Sequence, residues 1–252
     1  MAVETEISKE AEAKMPIMRH LREMRDRVAR SVIILVVTTG FSFIFGEQIL
    51  KILIAPAGNI DLQAIELVEN LAVYFKVALA GGIILAMPFL VYQIFAFIGP
   101  ALTSKEKSYV YRIVPVVTIM FLGGVAFAYF IALPPALGFL LNWMSDIATP
   151  EIRISDYVNI VTRLIISVGF VFETPIIIMF LARMGLVSPQ WLARRRKIWF
   201  VLAFVISALI TPTFDPINQT IIALPLIILL ELSIFMARFV YKERTGSALE
   251  EV

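Results

Sequence analysis

Residues 77–99 read VALAGGIILAMPFLVYQIFAFIG, 23 residues without a charged side chain. A bilayer core ~30 Å thick needs about 20 apolar residues in helix, so this stretch is long enough to cross one. Lipid offers no partner for free backbone groups, which leaves a helix or a closed barrel. Barrel strands alternate apolar and polar residues, and this run is continuously apolar. Outward from it the same pattern recurs at Ser31–Gly46, Ile113–Leu133, Ile154–Ala182, Ile198–Ile210 and Thr220–Ala237. The fold class is all-α: a polytopic membrane protein of six transmembrane helices.

Composition agrees. The 252 residues are 60% hydrophobic and 17% charged, whereas a soluble domain is ~45–50% apolar and ~25% charged. Mean hydropathy is +0.87. Cysteine is absent, which excludes a disulfide framework and a thiolate metal site. One histidine, His20, cannot form a histidine-cluster metal centre or an intramembrane Ser/His hydrolase. Neither metal nor cofactor is expected. The first apolar run follows a long charged segment, residues 1–30, and not the short n-region of a cleaved signal peptide.

Orientation follows from lysine and arginine. With a cytoplasmic N-terminus, one face carries residues 1–30, 100–112, 183–197 and 238–252, which hold 18 of the 22 basic residues. The positive-inside rule puts that face and both termini in the cytoplasm. The net charge of +2 conceals this asymmetry, so nucleic acid is not the implied partner. Residues 1–16 read as a flexible cytoplasmic tail, 17–238 as the membrane domain, and 239–252 as a second tail. From Ile17 the chain is amphipathic, with Leu21, Met24 and Val28 on one helical face running on into the first span. Asn59–Asn70 and Pro134–Arg153 read as ordered external connections, with Trp143 as an interfacial anchor.

The spans are unequal. The fifth has 13 residues, about 20 Å, and the fourth 29, about 43 Å. A short span must thin the lipid or recruit neighbours, and a long one must tilt or bend. Pro175 is a sufficient cause of a bend, and Pro88, Pro115 and Pro225 add others. A bowed, concave bundle follows. No internal repeat is visible, which weakens a solute-transporter reading. A catalytic histidine in a span and a Walker motif are both lacking, which weakens an enzymatic one.

Three carboxylates carry the functional interest. Glu173 lies ten residues from both Arg163 and Arg183, near the bilayer midplane, where it must be neutral or paired. It is either a polar contact for a ligand or partner helix, a proton-coupled group, or a neutral residue bonded within the bundle. Glu106 ends Thr103-Ser104-Lys105-Glu106, the spacing of a capping box, yet it also suits a cationic ligand. Glu23 has Arg27 at i+4 as its local partner, a pair worth only ~0.2–0.5 kcal/mol. Two carboxylates on one membrane face suit a ligand with two guanidinium groups. Glu231 reads as a structural carboxylate reaching a neighbouring helix, and Arg194 to Lys197 as the topology anchor of the fifth span. The aromatics from Tyr92 to Phe97 read as interface packing or as a peptide groove.

These residues together resemble the TatC family, the polytopic subunit of the twin-arginine (Sec-independent) protein translocase. The likeness rests on His20-Leu21-Arg22-Glu23-Met24-Arg25-Asp26-Arg27, Phe75-Lys76, Pro88 with Tyr92-Gln93 and Phe97, and Pro100 to Glu106. It continues through Phe127 to Phe130 with Pro134, Phe172-Glu173-Thr174-Pro175, and Thr211-Pro212 with Asp215 and Gln219. Met24, Ala101 and Thr213-Phe214 depart from the family pattern. The resemblance implies a non-enzymatic receptor in a bacterial-type inner membrane. It would recognise Arg-Arg signal peptides of folded proteins through Glu23 and Glu106, with Phe97 beside them. It further implies single-span partners of the TatA and TatB type, self-association in a receptor complex, and drive by the protonmotive force. By the same likeness Glu173 faces a concave groove, Asp215 and Gln219 form a polar site on the periplasmic, partner-facing side, and the short fifth span docks a partner helix.

Overall fold

The computed structural model describes the backbone of residues 2–58, 61–98, 104–142, 151–211 and 215–241. Side chains are described over 21–58, 61–97, 113–142, 151–211 and 215–241. The described chain is helical almost throughout: α1 Ala2–Ile44, α2 Gly46–Ile54, α3 Glu69–Ile98, α4 Ser104–Phe127, α5 Leu133–Asn142, α6 Ile154–Phe172, α7 Thr174–Arg183, α8 Pro189–Arg194, α9 Arg196–Ile210 and α10 Pro216–Val240. Among the described residues, five helical stretches are long and apolar enough to cross a membrane: Leu21–Ile44, Glu69–Phe97, Ile113–Asn142, Ile154–Arg183 and Pro216–Val240. The remaining apolar run forms α9, whose 15 residues span about 22 Å.

The third crossing helix is longer than the sequence suggests. Pro134 and Pro135 mark the start of a connection by sequence, yet the helix continues through them to Asn142. Proline has no N–H and its ring crowds the preceding turn. A π-helical turn at Ala128–Ala132, in which Leu133 N–H donates to Ala128 O, widens the helix just before them and relieves that crowding. Trp143 lies outside the described residues.

At Glu173 the fourth crossing helix does break, between α6 and α7. Pro175 cannot donate to Val171 O, four residues back. Thr174 Oγ1 donates to that carbonyl instead, at 2.6 Å. The Glu-Thr-Pro sequence thus bends the helix without leaving a bare carbonyl in an apolar interior.

Close packing uses small residues. Thr38 Oγ1 on α1 donates to Gly82 O on α3 at 2.9 Å. A Cβ on Gly82 would lie 2.7 Å from Thr39 Cα, so only glycine admits this approach, as at other membrane helix interfaces. We expect Gly82→Val to lower stability by about 1–3 kcal/mol through overpacking. Gly40→Ala, with open space around the new methyl, should leave the melting temperature in detergent unchanged. Equal melting of the two variants would refute this seam.

One end of the bundle is tied by a cap. Leu62–Gln63 pairs in parallel with Ile152–Arg153. Tyr157 and Tyr129 hydroxyls donate to Leu53 O and Ile52 O, each at 2.7 Å. The described residues between Ile52 and Gln63 are therefore tied down as a cap. The core beneath is Val73 and Val77 of α3 with Val158, Val161, Leu164 and Val168 of α6.

Candidate functional site

Glu23 sits on α1 with Arg27 one turn on, and the i,i+4 geometry brings them together. Arg27 Nη2 and Nε donate to Glu23 Oε1 at 2.6 and 3.1 Å. Both bonds end on one oxygen, so this is not the two-oxygen fork that makes arginine–carboxylate pairs strong. Glu23 is 29% exposed at its side chain and Arg27 20%. Arg27 Nη1 also reaches Gln93 Oε1 at 3.5 Å, which ties this turn of α1 to the buried Gln93 of α3.

Gln93 lies five residues before the end of α3 at Ile98, and α4 begins at Ser104. Glu106 is in the first turn of α4, so Glu23 and Glu106 belong to the same end of the helix bundle. The side chain of Glu106 and the backbone of Thr103 lie outside the described residues, as does the capping-box geometry. Phe97 is half-buried in the last turn of α3. Of its neighbours, Phe95 packs edge-on against Phe180 at 4.6 Å, and Ile94 is exposed. The aromatic stretch therefore divides between core and surface.

Glu173 is 4% exposed, and its Oε1 has no hydrogen-bond partner among the described residues. A bare carboxyl oxygen in an apolar interior is costly, which marks this position for a polar group that comes to it or for an internal water.

Asp215 and Gln219 are both committed to the last hairpin. Asp215 caps α10: its Oδ2 accepts from Asn218 N at 2.8 Å and its Oδ1 from Asn218 Nδ2 at 2.9 Å. Gln219 Nε2 donates to Phe204 O at 3.0 Å, and Ser207 Oγ donates to Gln219 O at 2.5 Å. Arg163 of α6 donates to Leu209 O at 2.8 Å. In the last turn of α9, Leu209 O is thus answered by Arg163 of α6 and Ser207 O by Thr211. Glu231 meets Arg196 of α9 at 2.8 Å, Nε to Oε1, and at 2.9 Å, Nη2 to Oε2, the interhelical role its position implies.

Glu69 has a role that its sequence position does not reveal. This carboxylate is 5% exposed and accepts from three backbone N–H groups: Ile65 at 2.7 Å, Glu66 at 3.2 Å and Ser155 at 3.2 Å. It pins the cap to α6 and opens α3 as well. Its signal was an acidic residue at a helix start, which many surface residues share. The role of Thr174 likewise appears only with the bend.

Comparison with known proteins adds the following. A family model described as Sec-independent protein translocase protein (TatC) matches residues 19–225. The chain is 35% identical to the TatC protein of Carboxydothermus hydrogenoformans, over 92% of this chain and 97% of that one. It is 36% identical to that of Aquifex aeolicus, over 91% and 98%. A crystal structure described as a twin arginine translocase receptor, TatC, superposes with a TM-score of 0.76 at 37% identity, covering 88% of this chain and 99% of that one.

Proposed function

We propose a function for this chain from the premise that it belongs to the TatC family of Sec-independent protein translocase proteins. Members of that family are protein-transport subunits and not enzymes, and this chain is accordingly a multi-pass membrane protein of a translocase. Its role is the receptor that recognises the Arg-Arg pair in signal peptides of folded proteins. The observation that carries this reading is the superposition on a solved twin arginine translocase receptor over nearly the whole length of both chains.

In this role Glu23 and Glu106 accept the two guanidinium groups, with Phe97 beside them. Two features support it. Glu23 and Glu106 share one end of the bundle, and the hold of Arg27 on Glu23 uses a single oxygen. An incoming arginine can bind the other oxygen or displace Arg27, whose i,i+4 pairing contributes only ~0.2–0.5 kcal/mol. Site-directed crosslinking from position 106 to a bound Arg-Arg signal peptide tests the assignment. Crosslinks confined to the opposite end of the bundle would overturn it.

The apolar α9 forms the fifth of six spans, bowed into a concave bundle over residues 17–238. Residues 1–16 and 239–252 are then tails on the cytoplasmic side of a bacterial-type inner membrane. Helix α9 exposes Ile198, Val201, Val205 and Leu209. That row suits a single-span partner of the TatA or TatB type, which would complete a hydrophobic thickness that α9 alone does not fill. Several such receptors self-associate, and the protonmotive force drives export.

Glu173 serves as a buried polar contact for a group arriving on a substrate or partner helix. Its bare Oε1 supports this role. Glu173→Gln, which can still hydrogen-bond, should therefore keep export of a twin-arginine reporter. Glu173→Ala should reduce it about ten-fold, the loss of one interaction of ~1.5 kcal/mol. Export abolished by Glu173→Gln would instead establish an obligatory proton step.

A further inference from the structure

The basic run Arg194 to Lys197, which by sequence is a topology anchor, divides its residues among separate tasks. The Arg195 guanidinium lies 5.2 Å from the centroid of the Trp191 ring. Arg196 forms the two-bond pair with Glu231. Arg194 turns elsewhere: with Arg238 it lines an open cavity of about 520 Å³ between α8 and the end of α10, together with Pro189, Gln190, Ala193 and Tyr241. Among the described residues, no carboxylate lines this cavity. Among the described residues neither Arg194 nor Arg238 has an acidic partner within ion-pair distance.

We propose that this cavity binds the phosphate of an anionic glycerophospholipid, with Arg194 and Arg238 as its two cationic walls. Arginine is permanently charged, and its planar fork matches phosphate oxygens. Tyr241 and Gln190 supply neutral hydrogen-bonding groups. The volume lies within the range that holds a small-molecule headgroup. The surroundings favour a lipid over a soluble anion. Arg238 stands in the last turn of the apolar α10, whose Phe235 and Phe239 are 57% and 76% exposed beside it. Trp191, 44% exposed, flanks the other wall, an aromatic of the kind found at headgroup level. Acyl chains can lie along α10 while the phosphate enters the cavity, the arrangement by which basic pockets between membrane helices hold anionic headgroups. The site lies outside the signal-binding residues, and its occupancy does not depend on the receptor reading.

The test is titration of the full chain, in neutral detergent, with dioleoylphosphatidylglycerol, with dioleoylphosphatidylcholine and with inorganic phosphate, bound lipid being counted by native mass spectrometry. Phosphatidylglycerol should bind in preference to phosphatidylcholine. Arg194→Gln and Arg238→Gln should each weaken that binding about five-fold, and the double variant about 25-fold, at ~1 kcal/mol for each surface arginine. Arg195→Gln, whose cation rests on Trp191, should leave it unchanged. The charge-retaining pair Arg194→Lys with Arg238→Lys should stay within about five-fold of wild type, and it serves where the glutamine pair does not fold. Unchanged phosphatidylglycerol affinity in the glutamine pair would overturn the site. A loss of binding in the lysine pair as large as that expected of the glutamine pair would overturn the role of charge. Displacement of the lipid by an equal concentration of inorganic phosphate would overturn the lipid in favour of a soluble anion.

Discussion

Replacing Glu23 and Glu106 together by alanine is expected to abolish discrimination between an Arg-Arg signal peptide and its Lys-Lys counterpart. Each carboxylate–guanidinium contact is a charge-assisted pair of ~1.5–3 kcal/mol, so each single variant should weaken Arg-Arg binding by about ten- to a hundred-fold. Lysine offers a point charge without the fork, so Lys-Lys affinity should fall less and the preference should collapse. Glu23 pairs with Arg27 through Oε1 alone, and this weak internal contact does not protect it from a competing arginine. Glu106→Gln separates two roles: it can still cap α4, yet it removes the charge. Weakened binding with unchanged melting assigns Glu106 to the ligand. Lowered melting with unchanged binding assigns it to the helix. Binding affinities of both peptides, measured on detergent-solubilised single and double variants, decide the matter. Unchanged preference in the double variant would sink the assignment.

Glu69→Ala is expected to lower the melting temperature by several degrees, because three part-buried N–H groups lose the acceptor they share. Three N–H groups, from Ile65, Glu66 and Ser155, converge on this one carboxylate. Two belong to the connection before α3 and the third to α6, so the variant loses both a helix start and the clamp on the cap. The two-residue strand pairing at Leu62 and Ile152 is too short to hold that cap by itself. Glu69→Gln keeps one acceptor oxygen and should recover about half of the loss. Thermal melting in detergent, together with proteolysis between residues 58 and 68, reads both effects. A melting temperature within a degree of wild type for Glu69→Ala would refute the clamp.

The candidate site was partly legible in the sequence. Glu23 and Arg27 are one helical turn apart, so their contact follows from spacing alone. That Glu231 reaches a neighbouring helix follows from cost, because a bare charge in lipid must find a partner; that the partner is Arg196 appears only in the fold. Gln219 stands out as polar at the start of an apolar span, whereas Asp215 is singled out only by the family resemblance. Their tasks, capping α10 and bonding Phe204 O of the neighbouring α9, appear only once the hairpin is folded. The prolines misled in one place and guided in another. Pro175 marks a true bend, while Pro134 and Pro135 are absorbed by a π turn that no local pattern announces.

By itself the sequence determined that this chain lies in a membrane, where its apolar runs fall, and which carboxylates need explaining. Those properties come from transfer free energy and helix rise, which act on each segment separately. Tertiary structure alone decided that Gly82 must be glycine, that Glu69 gathers three backbone donors, and that Arg194 faces Arg238 across a cavity. These depend on groups distant in sequence meeting at a few ångströms, and the helix-to-helix packing that sets such distances is not written in any one segment.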